Sequence, residues 1–247
     1  MSVSVSVSVS VSVCRVRVPC PCPCAVSASC TVTVAVYSPA DIADALQDGL
    51  RNEADAFDAE QAVHGLDALD ELELHPILAR VLERAGFGVH REVHYPADRR
   101  RRSRSEGERC DLVLTPDGRP LRAADRDATL FDPENACAED DALWVEVKVV
   151  HQHTTEGASS GYGGRLLSTT FADVRKLSKD RDILHAVLVI VLFAAHESVA
   201  EHDLAVWLDK AIGTGLPVSA PSIRMVPIND RMGNGVCALG VYPVAHL

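Results

Sequence analysis

Three charged residues lie at the edges of apolar runs, where charge is uncommon. Asp111 opens the run Asp-Leu-Val-Leu, and Glu146 and Lys148 interrupt a run of Leu, Trp and Val at 143–150. Side chains at i and i+2 of a strand point to one face, so Glu146 and Lys148 project together. A carboxylate and an ammonium on a mostly apolar strand are costly to bury unless they are paired or bind a metal. The pattern therefore indicates a charged site set into a sheet.

Asp111, followed by Glu146-Val147-Lys148, resembles the signature of the PD-(D/E)XK nucleases, the restriction-endonuclease-like phosphodiesterases. Cys110 stands where the family name has Pro. The resemblance implies Mg²⁺ or Mn²⁺ held by the carboxylates of Asp111 and Glu146 and by the backbone carbonyl of Val147. Oxygen atoms of this kind are the ligands that Mg²⁺ prefers. It also implies that Lys148 orients the attacking water and offsets charge on the phosphate, so Asp111, Glu146 and Lys148 are the predicted catalytic residues.

Many members of this family add a carboxylate from the first core helix, where this chain offers Glu71, Glu73 and Glu83. At about 100° per residue, Glu71 lies about 50° from the centre of the apolar stripe and Glu73 about 110° away. Glu71 is therefore the predicted fourth catalytic residue. His75 lies one turn later on the same face. In resolvase-like members the Glu lies about eleven residues before the Gly that ends the helix. Counting back from Gly86 gives His75, so Glu73 and His75 remain alternatives.

The polarity pattern places these residues in an α/β domain. Helical periodicity indicates helices at 41–63, 68–85, 165–181 and 198–212. Strands are predicted around Asp111 and at 88–95, 143–150, 185–193, 222–228 and 235–243. Val89, Val93 and Tyr95 are expected on one face of the first strand. From 68 to 194 the order is αβββαβ, as in the restriction-endonuclease-like core. The resemblance implies a central mixed sheet flanked by helices, with an extra C-terminal helix and strands.

The beginning of the chain differs from the rest. Residues 2–13 alternate Ser and Val, and Pro-Cys repeats follow. We interpret 1–37 as a low-complexity segment, disordered or the product of a misassigned start, and 38–247 as one nuclease-like domain. Three scattered cysteines beyond residue 37 form no disulfide framework, which favours a reducing, cytoplasmic setting. No apolar run reaches the roughly 18 residues that a membrane span needs, so no membrane association is expected.

Charge limits the choice of partner. The formal net charge of −11 argues against a general polyanion binder. A local basic run nevertheless precedes the Asp111 strand, formed by Arg99, Arg100, Arg101, Arg102 and Arg104. Such a run either contacts nucleic-acid phosphates or is a solvated loop. The resemblance implies DNA as the partner and is compatible with a homodimer. The alternative function is a non-catalytic nucleic-acid-binding or scaffold protein that keeps the nuclease-like fold.

Overall fold

The computed structural model describes residues 37–99, 108–122, 133 and 135–246, together with the backbone of two short paired strands, Cys14–Val16 and Val32–Val34. The four longer helices are α1 (Pro39–Ala59), α2 (Glu71–Arg84), α3 (Thr170–Lys179) and α4 (Glu197–Gly213). The six strands of the main sheet are β1 (Gly88–His94), β2 (Arg109–Thr115), β3 (Leu143–His151), β4 (His185–Ala194), β5 (Ser222–Pro227) and β6 (Val236–Val244). Within the described ranges, no helix is long and apolar enough to cross a membrane.

The six strands form one mixed sheet in the order β5-β6-β4-β3-β2-β1. Strands β3 and β4 are parallel and are joined through α3, whereas the other neighbours are antiparallel. Helices α1 and α2 cover one face with an apolar layer, and α3 and α4 cover the other. The continuous apolar sequence of β4 follows from this arrangement, because a central strand is buried on both faces. The predicted α/β class and the mixed sheet flanked by helices are confirmed.

Local chemistry explains where the elements begin and end. Helix α2 begins at Glu71, because Asp70 accepts the Glu73 N–H and Glu73 accepts the Asp70 N–H, a reciprocal capping box. Pro76 is the sixth residue of α2 and lies beyond the first turn. Its missing N–H would have bonded the carbonyl of Leu72, a residue that is 72% exposed. The predicted helix at 165–181 is divided into a π-helical turn, Arg165–Thr169, and α3.

The predicted insertion at 119–141 is described only at its ends. Leu121–Arg122 pairs in parallel with Cys137–Ala138, while 123–132 and 134 lie outside the described residues. The indole of Trp144 donates to the carbonyl of Glu139, which ties the end of the insertion to the start of β3. Both ends of the insertion therefore lie at the same end of the sheet.

Shortening the chain to begin at Tyr37 is expected to leave the melting temperature unchanged. The hydroxyl of Tyr37 donates to the carbonyls of Leu114 (3.2 Å) and Asp141 (2.9 Å), and the layers on both faces of the sheet are built from later residues. Thermal melts of the 247-residue and shortened chains test this. A clearly lower melting temperature for the shortened chain would show that residues 1–36 stabilise the fold.

Candidate active site

Strands β2 and β3 separate at Asp111. Their ladder pairs Leu112 with Val145 and ends there, although the same register would place Asp111 opposite Glu146. The carboxylate of Asp111 instead accepts the backbone N–H of Val147 through Oδ2, at 2.8 Å. The Asp111 side chain thus accepts the hydrogen bond that a backbone carbonyl of a neighbouring strand would normally accept. Beyond Val145, the edge of β3 that faces away from β4 is not covered by β2. We call this stretch, Val147–Val149, the open edge.

Glu71 occupies the next position along the open edge. Its Oε2 accepts the backbone N–H of Val149 (3.3 Å), and its Oε1 accepts a hydrogen bond from Lys148 Nζ (3.0 Å). Glu71 is the first residue of α2, so the helix terminus itself carries this carboxylate to the sheet. A negative charge is also favourable at a helix N-terminus. Among the helix residues considered from the sequence, Glu71 and His75 face the site, whereas Glu73 is used in the capping box.

The backbone carbonyl of Val147 is a predicted metal ligand. In a strand, the N–H and C=O of one residue point to the same edge. Because the N–H of Val147 donates to Asp111, its carbonyl lies on the open edge beside the same carboxylate. The position is compatible with an oxygen ligand next to Asp111.

A row of ion pairs crosses the site from one helix layer to the other. Lys148 Nζ lies 3.0 Å from Glu71 and 3.5 Å from Asp173, and Lys176 Nζ lies 3.6 Å from Asp173 and 3.0 Å from Glu146. The five residues alternate in sign, and we call them the ion-pair chain. Its Glu71 end lies on α2, its centre on α3 and its Glu146 end on β3. Two ammonium groups therefore separate three carboxyl groups that would otherwise lie close to one another.

Glu146 is held more tightly than the other acids. The residue is only 2% exposed, and its Oε1 accepts hydrogen bonds from both Tyr95 and Lys176. Tyr95 is itself fixed, because its ring stacks on Trp144 at 5.6 Å between centroids. Outer groups of this kind commonly orient a metal-binding side chain. Tyr95 and Lys176 thus both bind Oε1, the same oxygen of the Glu146 carboxylate.

Burial and crowding shift the acid–base behaviour of the site. Burial, reinforced by the charge of Asp111, raises the pKa of Glu146 from 4.5 to about 8 despite Lys176. Burial also raises the pKa of Asp173, against the effect of the two lysines. For Lys148, burial lowers the pKa, but Asp173 and Glu71 outweigh it, so the pKa lies above the usual value. Lys148 is therefore an ammonium at neutral pH, and a cation that binds Glu146 must displace a proton.

Glu146 is expected to make the protein less stable as pH rises, when a chelator keeps metals away. Between pH 4.5 and about 8 the unfolded chain has lost the proton that native Glu146 retains, so stability falls by up to about 1.4 kcal/mol per pH unit. Below pH 4.5 both states are protonated and this effect is absent. The free energy of unfolding, measured with denaturant from pH 5 to 8, should fall less steeply with pH in Glu146→Gln than in the wild type. Parallel curves would contradict the raised pKa.

His75 and Glu92 complete a second group around Asp111. One ligand atom from each of His75, Glu92 and Asp111 can be chosen so that all three lie within 4.8 Å of one another. His75 Nε2 is 3.9 Å from Asp111 Oδ2. This group can hold a metal ion, and it differs from the predicted set of Asp111, Glu146 and the Val147 carbonyl. Asp111 belongs to both sets.

An irregularity in β1 explains why Glu92 reaches the site. Glu92 has φ of 53°, and the ladder between β1 and β2 pairs Arg91 and Val93 but omits Glu92, opposite Asp111. Val89 consequently packs on the α1–α2 side and Val93 on the α3–α4 side, with Tyr95. The expectation that Val89, Val93 and Tyr95 share one face is therefore wrong. The left-handed residue reverses the alternation of side chains along the strand.

Sequence reasoning missed Tyr95, Glu92, Asp173 and Lys176. The available signal for the last two was weak: Asp173 and Lys176 are spaced i, i+3 on one flank of the α3 apolar stripe, with opposite charges. Their proximity to Glu146 depends on the crossover between β3 and β4. The backbone of Arg99 ends a short helix, Pro96–Arg99. The predicted phosphate contacts of the arginine run lie outside the described part of the chain, which excludes the side chain of Arg99 and all of Arg100, Arg101, Arg102 and Arg104.

Comparison of the chain with models of protein families, with curated proteins and with solved structures found no match. The function of the chain is therefore inferred from the geometry of the site.

Proposed function

We propose that this chain is a metal-dependent nuclease with a restriction-endonuclease-like αβββαβ core, and that it hydrolyses phosphodiester bonds in DNA. The observation that carries the proposal is the convergence of Glu71, Asp111, Glu146 and Lys148 where β2 separates from β3. Residues 71 and 148 are far apart in sequence, yet their side chains bond directly. The core corresponds to α2, β1, β2, β3, α3 and β4, in chain order.

The donor set fits a divalent cation. Asp111, Glu146, Glu71 and the Val147 carbonyl supply oxygen atoms, the donors that Mg²⁺ and Mn²⁺ accept. A bound Mg²⁺ or Mn²⁺ would lower the pKa of a coordinated water and offset charge on the phosphate. Asp111 would hold the cation from β2 and Glu146 from β3. Tyr95 and Lys176 would keep the Glu146 carboxylate in position by binding its other oxygen.

Lys148 has a separate role in this proposal. Its ammonium lies between Glu71 and Asp173, and its pKa is raised, so it carries a full charge at neutral pH. A fixed charge next to a reacting phosphate stabilises the negative charge that develops in the transition state. Lys148 would orient the attacking water and neutralise a phosphate oxygen. An arginine elsewhere on the surface cannot substitute, because the charge must lie beside the metal.

The decisive experiment is a cleavage assay on linear, nicked, branched and single-stranded DNA and on RNA, with Mg²⁺, Mn²⁺ or EDTA. We expect cleavage of DNA in the presence of a metal and none in EDTA. Lys148→Ala should lose most cleavage, and Lys210→Ala, which removes an exposed lysine on α4, should be fully active. No cleavage of any substrate would contradict the proposal.

The second candidate function is a non-catalytic nucleic-acid-binding or scaffold protein. The observation in its favour is that Lys148 binds the Glu71 carboxylate and that Tyr95 and Lys176 bind the Glu146 carboxylate. Retention of Asp111, Glu146 and Lys148 together argues for catalysis instead. DNA binding with no cleavage in the assay above would select the scaffold function.

The arginine run at 99–104 is expected to contribute affinity rather than chemistry. Each phosphate contact releases counterions, so replacing four arginines by serine should flatten the dependence of log K on log salt by up to about 0.9 per lost contact. Replacing the same four by lysine keeps the charge and is expected to preserve most of the slope. Binding measured from low to moderate salt tests the effect. An unchanged slope in the serine variant would identify the run as a solvated loop.

A further inference from the structure

His75 has a ring nitrogen that no group in the described part of the chain satisfies. The residue is 2% exposed, and among the described residues its Nε2 has no hydrogen-bond partner. The nearest acidic oxygen, Asp111 Oδ2, is 3.9 Å away. That separation is too long for a hydrogen bond, and Oδ2 is already used by the Val147 N–H. Buried polar atoms are rarely left without a partner, so an unpaired nitrogen that faces a carboxylate indicates a ligand between them.

Glu92 supplies a third donor at the same point. It is exposed and has a left-handed backbone conformation, which is uncommon for a residue other than Gly. Atoms that share one cation at about 2.1 Å lie within roughly 4.2 Å of one another. The ligand atoms of His75, Glu92 and Asp111 lie within 4.8 Å of one another, a limit slightly larger than this separation of roughly 4.2 Å. Because the Glu92 side chain reaches solvent, rotation about its own bonds can close the difference without moving the sheet.

We propose that His75, Glu92 and Asp111 hold a first-row transition-metal dication, such as Mn²⁺, in preference to Mg²⁺. One imidazole nitrogen and two carboxylates suit these ions, whereas Mg²⁺ favours oxygen donors alone. Three protein ligands leave coordination positions open for water or a phosphate oxygen. The inference deepens the proposed function and rests on it for the role of the ion in hydrolysis. Binding of the ion itself is measured without nucleic acid.

The position of the group relative to the open edge supports this assignment. Asp111 is the residue at which both neighbouring ladders are interrupted, toward β1 at Glu92 and toward β3 at Glu146. An ion on the His75 side of Asp111 would lie next to the Val147 peptide. It would not require Glu146 to leave Tyr95 and Lys176, to which that carboxylate is bonded. A transition-metal ion can therefore enter without breaking the ion-pair chain.

The test uses Mn²⁺ alone with the 247-residue protein. Electron spin-echo spectra of bound Mn²⁺ detect a directly coordinated ¹⁴N nucleus, which a purely structural histidine would not produce. We expect a ¹⁴N signal in the wild type and its loss in His75→Gln. Titration should show Mn²⁺ binding at least tenfold tighter than Mg²⁺ and at least tenfold weakened Mn²⁺ binding in Glu92→Gln. Glu83→Gln, an exposed carboxylate at the far end of α2, is the control and should bind as the wild type does.

Several outcomes would overturn the inference. A wild-type spectrum without ¹⁴N coupling, or one that persists in His75→Gln, would show that His75 is not a ligand. Because His75→Gln changes a buried residue, Glu92→Gln provides an independent test at an exposed position, and unchanged affinity there would also refute the site. Metal-dependent cleavage without ¹⁴N coupling would leave the proposed function standing and remove this inference. Coupling without cleavage of any substrate would support the site and remove the function.

Discussion

Lys148→Ala is expected to lose most cleavage while keeping the metal. Asp111 remains, and Glu146 remains in its hydrogen bonds to Tyr95 and Lys176, so the two carboxylate ligands from the sheet are retained. The lost group is a preorganised charge at the transition state, and removing one such group typically costs on the order of 10²–10³ in rate. Single-turnover cleavage with saturating metal isolates this effect from binding.

The contacts of Lys148 sharpen the expectation. Its ammonium donates to Glu71 at 3.0 Å and lies 3.5 Å from Asp173, so it competes with any cation for these carboxylates. Metal affinity in Lys148→Ala should be equal to or higher than in the wild type. Cleavage at the full rate in this variant would refute the mechanism. A large fall in metal affinity would show instead that Lys148 maintains the fold of the site.

Asp111→Ala is expected to lose both the metal and the activity, with a rate loss at least as large as that of Lys148→Ala. Asp111 belongs to the predicted ligand set with Glu146 and also to the group with His75 and Glu92. The melting temperature should fall only modestly, because losing the acceptor of the Val147 N–H is offset by removing one of several like charges from a crowded site. Metal titration tests the expected loss of metal binding, cleavage rates test the loss of activity, and thermal melts test the effect on stability.

Asp111→Asn separates the charge of Asp111 from its hydrogen bond. Asparagine retains an oxygen that can accept the Val147 N–H, so the separation of β2 and β3 should be preserved. If the negative charge is what holds the metal, Asn and Ala should be equally inactive. Recovery of cleavage in Asp111→Asn would mean that Asp111 acts by shaping the strand edge, and the metal role would be lost.

Much of the fold could be predicted because its signals are local. The apolar stripe of α2, the alternation in β3 and the continuous apolar run of β4 each depend on neighbours within one element, and their bounds are close to those observed. Glu71 could be chosen over Glu73 for the same reason, since the angle around a helix is fixed by spacing. The spacing of Asp70 and Glu73 is itself the signature of the capping box in which Glu73 is used.

The remainder of the site depends on contacts between elements. Lys176 and Asp173 resemble an ordinary solvated flank of an amphipathic helix, and only the crossover to β4 brings them onto Glu146. Glu92 reaches Asp111 because one left-handed residue reverses β1, and His75 reaches the same carboxylate from α2. Nothing in the local sequence marks this conformation, since the residue is a glutamate rather than a glycine. The contacts between buried charges on different elements depend on the tertiary structure. The periodicity of the sequence within one element carries no information about those contacts.

The open edge has a practical consequence for spectroscopy. The amide protons of Val147 and Val149 end on carboxylates, those of Asp111 and Glu71, rather than on carbonyls of a neighbouring strand. A cation that draws electron density from either carboxylate would weaken the corresponding hydrogen bond. The ¹⁵N and ¹H resonances of these two residues should therefore move as a diamagnetic ion is added. Val147 reports on the Asp111 side and Val149 on the Glu71 side, so the backbone contains a separate sensor for each half of the site.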